Sequence, residues 1–110
     1  MERRLGLRGR TDFGVIAQSG SSRRHCRGIE VSPTGIVIDV GRDIATEGLP
    51  LLVRLELRLP ERINALVAWG RPVWARGRQQ ALRIVRMNDA DRLTLAEHLD
   101  LLSTRGALLG

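Results

Sequence analysis

Residues 51–59 alternate between apolar and mainly polar side chains, and this pattern constrains the fold more than any other part of the chain. Leucine or valine occupies every odd position, whereas the even positions hold Leu52, Arg54, Glu56 and Arg58. Successive side chains of a β-strand point to opposite faces, so a period of two predicts a strand with one buried and one solvated face. Such a strand needs neighbouring strands and a shared core, which favours a domain built from a sheet.

Five further segments have the composition of strands, and turn residues separate them. They are residues 12–18, 23–31, 36–40, 63–76 and 80–87. Small, turn-forming residues at 19–22 and 32–35 divide the first three strands, and Gly35 can take the left-handed geometry that a tight turn uses. Gly70 and Pro72 predict a bend or bulge inside the longest strand.

A helical pattern occurs only near the C-terminal end. Leu95, Leu99 and Leu102 recur at i, i+4 and i+7, and Asn88 or Asp89 precedes them as an N-cap. We expect this leucine stripe to pack on the chain's own strands. Six strands and one amphipathic helix predict a mainly β fold, a six-stranded antiparallel β-barrel with the C-terminal α-helix against an opening.

The 110 residues correspond to one domain with a single core. Residues 1–11 contain four arginines and few apolar side chains, and we predict that they form a flexible, arginine-rich N-terminal arm that binds a ligand. Residues 12–103 are predicted to form the barrel with its C-terminal helix, and residues 104–110 a tail.

All 18 basic residues are arginines, and the net charge is +6. The planar guanidinium matches phosphate and guanine edges, which indicates a phosphate-bearing partner. A bias in genome composition also produces arginine-rich chains, so position carries more weight than number. Cys26 is the single cysteine, which excludes an internal disulfide. Without a long apolar run or a signal-like segment, we expect a cytoplasmic protein with no membrane insertion.

Two short motifs, Arg4-Leu-Gly-Leu-Arg8 and Glu30-Val-Ser32-Pro-Thr-Gly35, are separated by 21 residues. In order and spacing they resemble the PilZ family, whose pattern is Arg-x-x-x-Arg followed, after a comparable gap, by Asp/Asn-x-Ser-x-x-Gly. The resemblance continues through residues 53–60, Val73 and Trp74, and the closing helix. It implies a stand-alone PilZ-like barrel that binds the bacterial second messenger cyclic di-GMP.

For the arm, the resemblance implies a clamp formed by Arg4 and Arg8. Guanidinium groups bind phosphates and the O6/N7 edge of guanine, and their planes stack on purines. The family likeness also implies that Arg3 favours two stacked ligand molecules, and Arg10 is a further candidate for a phosphate contact. Binding would order the arm across the barrel and change the surface that a protein partner meets.

For the turn, the resemblance implies that Glu30 accepts hydrogen bonds from guanine, Ser32 adds a hydroxyl contact, and Gly35 lets the base approach the backbone. Glu30 stands where the family has Asp or Asn, which moves the carboxylate roughly 1.5 Å further from the strand and weakens the predicted contact. Trp74 is a further candidate for lining the site, whereas Trp69 is assigned to packing.

Three functions are left open at this point. The first is a receptor that binds cyclic di-GMP and relays this state to an unidentified protein partner. The second is a PilZ-like interaction adapter that does not bind cyclic di-GMP because its motif is degenerate at Glu30. The third is a small basic barrel that binds single-stranded nucleic acid, which has the least support because only Phe13, Trp69 and Trp74 are aromatic.

No catalytic or metal-binding set is visible in the sequence. His25, His98 and Cys26 have no partners at the spacing that a metal site or a catalytic triad requires. We therefore expect a protein that is not an enzyme and that uses no metal or cofactor apart from its ligand. Arg23 and Arg27 form a second Arg-x-x-x-Arg, but they directly precede the turn and are predicted to lie on a solvated strand face.

Overall fold

The computed structural model describes residues 9–41, 51–60 and 63–104 of the chain. They form six strands and one helix, listed in chain order as β1 (Gly9–Ser19), β2 (Ser22–Val31), β3 (Gly35–Asp39), β4 (Val53–Arg58), β5 (Leu66–Arg76), β6 (Gln79–Met87) and α1 (Asp89–Thr104). The predicted mainly β fold, with six antiparallel strands and a C-terminal helix, is confirmed. Of the predicted arm at residues 1–11, residues 9–11 belong to β1, and of the predicted tail at residues 104–110, Thr104 ends α1; residues 1–8 and 105–110 lie outside the described residues.

The strands form a closed barrel in the order β1-β2-β3-β6-β5-β4, and every neighbouring pair is antiparallel. Pairing of β1 with β4 closes the barrel. The alternation that predicted β4 is seen directly, because Val53, Leu55 and Leu57 are buried. On the opposite face Arg54 donates a hydrogen bond to Glu56, with 2.7 Å between Nη1 and Oε2.

Strand β1 begins at Gly9, three residues before the predicted start at Asp12. Gly9 pairs with Val31 and Arg10 with Glu30, so the additional residues extend the hairpin with β2. These pairs form through backbone groups and need no apolar side chains, which is why the hydrophobic pattern does not show them.

The turns follow the residues that predicted them, with one exception. Gly20 and Gly77, in the β1–β2 and β5–β6 hairpins, both have a φ of 59°. Gly35 does not have a positive φ, contrary to the sequence expectation. A Cβ at Gly35 would lie 3.2 Å from the carbonyl oxygen of Leu82, so a larger residue there would crowd the backbone of β6.

The pairing of β5 with β6 is irregular at the place that the sequence indicates. Its register shifts between Trp69 and Gly70 and again between Pro72 and Trp74. The bend or bulge predicted from Gly70 and Pro72 is therefore confirmed.

Helix α1 is capped and attached as the sequence predicts. Asn88 Oδ1 accepts a hydrogen bond from the Asp91 amide at 2.7 Å, and Asp91 Oδ2 accepts one from the Val67 amide at 3.0 Å. Leu95 and Leu99 belong to the barrel core, which confirms the packing predicted for the stripe; the side chain of Leu102 is not described. Within the part of the chain that the structure covers, no helix is long and apolar enough to cross a membrane.

Candidate functional site: a groove on the outer face of the barrel

A groove of about 450 Å³ lies on the outer face of the barrel, where β2, β3, β6 and β5 run side by side. Its lining includes Glu30, Ser32, Gly35, Val37, Trp74 and Ala81. Four of the residues that were predicted for the site are thus brought together although 44 positions separate Glu30 from Trp74 in the sequence.

One row of cross-strand partners forms the centre of the groove. Glu30 pairs with Val37, Val37 pairs with Ala81, and Ala81 pairs with Trp74. Direct partners on neighbouring strands share a face, and this face points outward because the flanking Ile36 and Ile38 are buried. Three strand spacings separate the ends of this Glu30–Trp74 row, about 14 Å along the sheet. The smaller Val37 and Ala81 lie between two larger residues and form the floor.

The position of Glu30 depends on a bulge in β2. The β2–β3 register shifts between Gly28 and Glu30, so that two residues of β2 correspond to one residue of β3. A bulge of this kind reverses the face on which the following residues lie. Without it, the alternation set by buried Cys26 and Gly28 would turn Glu30 toward the core.

Ser32 holds the turn that forms one wall of the groove. Its Oγ accepts hydrogen bonds from the amides of Gly35 at 3.1 Å and Thr34 at 3.3 Å, and its own amide donates to the Gly35 carbonyl at 2.9 Å. The Ile84 amide donates to the Thr34 carbonyl at 2.8 Å, which attaches the turn to β6. Ser32 therefore shapes the groove, and its contact with a ligand stays a prediction.

Trp74 offers an aromatic surface at the opposite end of the row. The side chain is 42% exposed, and the guanidinium carbon of Arg76 lies 5.8 Å from its ring centroid. An arginine over an indole is an attractive cation–π arrangement, and it places a positive charge beside the groove. Arg76 was not among the residues predicted for the site. Residues two apart on a strand share a face, and this relation to Trp74 is the signal that could have identified it.

Strand β1 brings the N-terminal segment to the same place. The pairs Gly9 with Val31 and Arg10 with Glu30 put the first described residues directly beside the groove. Arg3, Arg4 and Arg8 lie outside the described residues, as does the side chain of Arg10, so the contacts expected of them stay predictions.

Among the described residues, Cys26 and Glu56 have shifted pKa values, and neither residue lines the groove. Burial raises the pKa of the Cys26 thiol, and the nearby charge of Arg24 opposes this effect only in part. The hydrogen bond from Arg54 holds the pKa of the Glu56 carboxyl below its ordinary value. Among the described residues no three His, Cys, Asp or Glu side chains come together as a metal site would require.

Trp69 lies away from the groove, and its ring is not part of the core. It is 36% exposed on the outer face, where its backbone partners are Arg54 and Arg86. The assignment of Trp69 to packing is therefore only partly met, because buried Ala68 and Gly70 on either side leave the intervening residue facing outward. Arg23 and Arg27 are exposed, as predicted for a solvated strand face.

Comparison with known proteins gives a match at the level of structure. No family model matches the chain, and no curated protein matches it. Its structure is similar to that of the Bacillus subtilis inhibitor of motility, MotI/DgrA, with a TM-score of 0.72 and 17% sequence identity. The match covers 96% of this chain and 53% of MotI/DgrA, so the chain spans about half the length of that protein. At this identity, the finding is that the chain shares its barrel fold with MotI/DgrA.

Proposed function

We propose that this chain is a PilZ-type receptor domain that binds cyclic di-GMP in the groove and relays the bound state to a protein partner in the cytoplasm. The observation that carries the proposal is the position of Gly9, which pairs with Val31 beside the Glu30–Trp74 row. Gly9 directly follows Arg8 in the chain. The residue that follows the arginine motif thus lies beside the turn motif at one groove, which supports the proposal.

The groove suits a ligand that carries purines and phosphates. A carboxylate at Glu30 can accept hydrogen bonds from the N1–H and N2–H₂ groups of guanine. The exposed ring of Trp74 can stack on a purine at the other end of the row. The groove volume of about 450 Å³ is within the usual range for small-molecule sites.

The arm is long enough to cross most of the groove. A fully extended chain spans at most about 3.5 Å per residue, so Arg4 can reach about 17 Å from Gly9. Gly9 lies on β1, one strand outside the Glu30–Trp74 row, so by strand spacing Ala81 on β6 is about 14 Å away and Trp74 on β5 about 19 Å. Arg4 and Arg8 can therefore meet the ligand phosphates from above while the ligand lies on the strands.

Capture of a ligand by the arm would change the outer surface of the barrel without chemistry at the site. This favours a receptor or adapter that is not an enzyme. MotI/DgrA, which shares the fold, is named as an inhibitor of motility, and such a protein acts on another component of the cell. We propose the same kind of action here, with a partner that recognises the arm in its bound position.

A second candidate, the adapter that does not bind cyclic di-GMP, rests on Glu30. This longer side chain has more rotamer freedom to lose than Asp or Asn, and it follows a bulge that sets its direction. If its carboxylate overshoots the guanine edge, the fold stays intact and the protein acts through constitutive contacts.

Calorimetric titration with cyclic di-GMP tests the proposal on four proteins. They are the parent chain, Arg4→Ala, Glu30→Asp and, as a matched control, Arg23→Ala, which removes an exposed arginine away from the groove. We expect saturable binding in the parent and in Arg23→Ala, and loss of binding in Arg4→Ala. A stoichiometry near two ligands per chain would support the role of Arg3.

The same titration separates the alternatives. Binding that appears only in Glu30→Asp would mean a receptor fold with a weakened site. Absence of binding in every variant would contradict the receptor proposal and leave the adapter. Equal binding by the parent and Arg4→Ala would contradict the clamp.

A further inference from the structure

Arg71 and Arg83 are direct partners across β5 and β6. Both side chains are exposed on the outer face. Like charges placed directly opposite each other weaken an antiparallel pair. This pair lowers stability on an exposed face, where many other residues would not. The cost indicates that the two charges have a function together.

Neither Arg71 nor Arg83 takes part in the ion pairs among the described residues. Arg54 and Arg58 bond to Glu56, and Arg78 bonds to Asp39. Within residues 9–41, 51–60 and 63–104, neither Arg71 nor Arg83 has a salt bridge to a carboxylate. Their positive charge is therefore available to an anion from solution.

The arginine pair borders the groove. Arg83 pairs with Gly35 on β3 and Arg71 on β5, so these three residues form a second row parallel to the Glu30–Trp74 row. Along β3 and β6 the two rows are two residues apart, which is about 6.8 Å. Along β5 the bulge adds one residue to this separation. Gly35 lines the groove and carries no side chain that would stand between the groove and Arg83.

We propose that Arg71 and Arg83 form an anion subsite at the Gly35 edge of the groove and that it binds a phosphate of a phosphodiester ligand. A phosphate between the two guanidinium groups accepts charge-assisted hydrogen bonds from both and removes their mutual repulsion. The identity of the ligand as cyclic di-GMP rests on the proposed function. In that case the strands hold one phosphate from below while the arm meets the ligand from the other side.

The test compares cyclic di-GMP affinity in the parent, Arg83→Gln, the double variant Arg71→Gln/Arg83→Gln, and Arg86→Gln. The last variant is a matched control, since Arg86 is an exposed arginine on the same strand that pairs with Trp69. We expect the dissociation constant to rise about tenfold in Arg83→Gln, as for one lost charge-assisted hydrogen bond. The double variant should bind still more weakly, with Arg86→Gln within twofold of the parent.

The melting temperature tests independently whether Arg71 and Arg83 repel each other. The double variant should melt at the parent's temperature or above it, because it removes a repulsive pair. Affinity unchanged in the double variant, or an equal loss in Arg86→Gln, would overturn the subsite.

A parent chain that binds no cyclic di-GMP would contradict the proposed function alone. Pyrophosphate then replaces cyclic di-GMP as the probe. Its binding is followed through the backbone amide signals of Gly35 and Arg83 in NMR spectra. Shifts that saturate in the parent and vanish in the double variant would support the anion subsite. Unchanged signals in the parent would overturn it.

Discussion

At Gly28 the absence of a side chain makes room for the ring of Phe13, its direct partner on β1. A Cβ at Gly28 would overlap three atoms of that ring, which is 5% exposed and part of the core. The pair adjoins the bulges of β1 and β2, which separate it from Arg10 and Glu30. Displacement of Phe13 would therefore disturb both the core and the approach to the groove.

We predict that Gly28→Ala lowers the free energy of unfolding by about 1–3 kcal/mol, as overpacking of a core does. Gly14→Ala is the matched control, because its Cβ would lie 4.0 Å from the Cβ of Arg58 in ordinary contact. It should be neutral or stabilise by up to about 1 kcal/mol, since alanine loses less backbone entropy than glycine. Urea unfolding measures both variants, and equal changes would contradict this explanation.

Four candidate residues, Glu30, Ser32, Gly35 and Trp74, could be named from the sequence through the resemblance of short motifs. The structure brings them together in the lining of one groove, and their contact with a ligand stays a prediction. The reasons for two of them were not predictable. Ser32 holds its turn through hydrogen bonds from the backbone, and a side chain at Gly35 would crowd the carbonyl of Leu82 on a strand that is distant in sequence.

The start of helix α1 and its attachment to the barrel both depend on hydrogen bonds in its first turn. Asn88 satisfies the Asp91 amide, and Asp91 in turn binds the start of β5. The cap therefore both begins the helix and orients the carboxylate that attaches it to the barrel.

Asn88→Ala should lower the free energy of unfolding by about 1 kcal/mol, the usual value of an N-cap. Asn88→Asp should keep the parent's stability because aspartate caps helices equally well. Chemical denaturation followed by circular dichroism measures both proteins. The cap would have no such role if the alanine variant were as stable as the aspartate variant.

The strands themselves could be predicted because alternation and turn residues are properties of short segments. Their partners could not. Closure of the barrel by β1 and β4, and the register that aligns Glu30 with Trp74, depend on backbone hydrogen bonds between distant segments. Alternation specifies which face a residue occupies but not which residue lies opposite, and each bulge shifts that relation by one position.

For the whole molecule, the groove and the core use opposite faces of the same strands. On β3, Ile36 and Ile38 fill the interior while Gly35 and Val37 line the groove. Ligand binding therefore does not require the barrel to open, and the change that a partner recognises would be confined to the outer surface and the arm. The barrel fold that the chain shares with MotI/DgrA would then serve as the support for the proposed surface site.

The two tryptophans allow the proposed cyclic di-GMP site to be tested within one molecule. Both are partly exposed on the outer face, at 42% for Trp74 and 36% for Trp69, but only Trp74 lines the groove. Their indole N–H groups give two NMR signals, which a Trp69→Phe variant assigns. Addition of cyclic di-GMP should shift the Trp74 signal in a saturable way and leave the Trp69 signal in place. A Trp74 signal that stays unchanged at high ligand concentration, or a shift confined to Trp69, would contradict a cyclic di-GMP site in this groove.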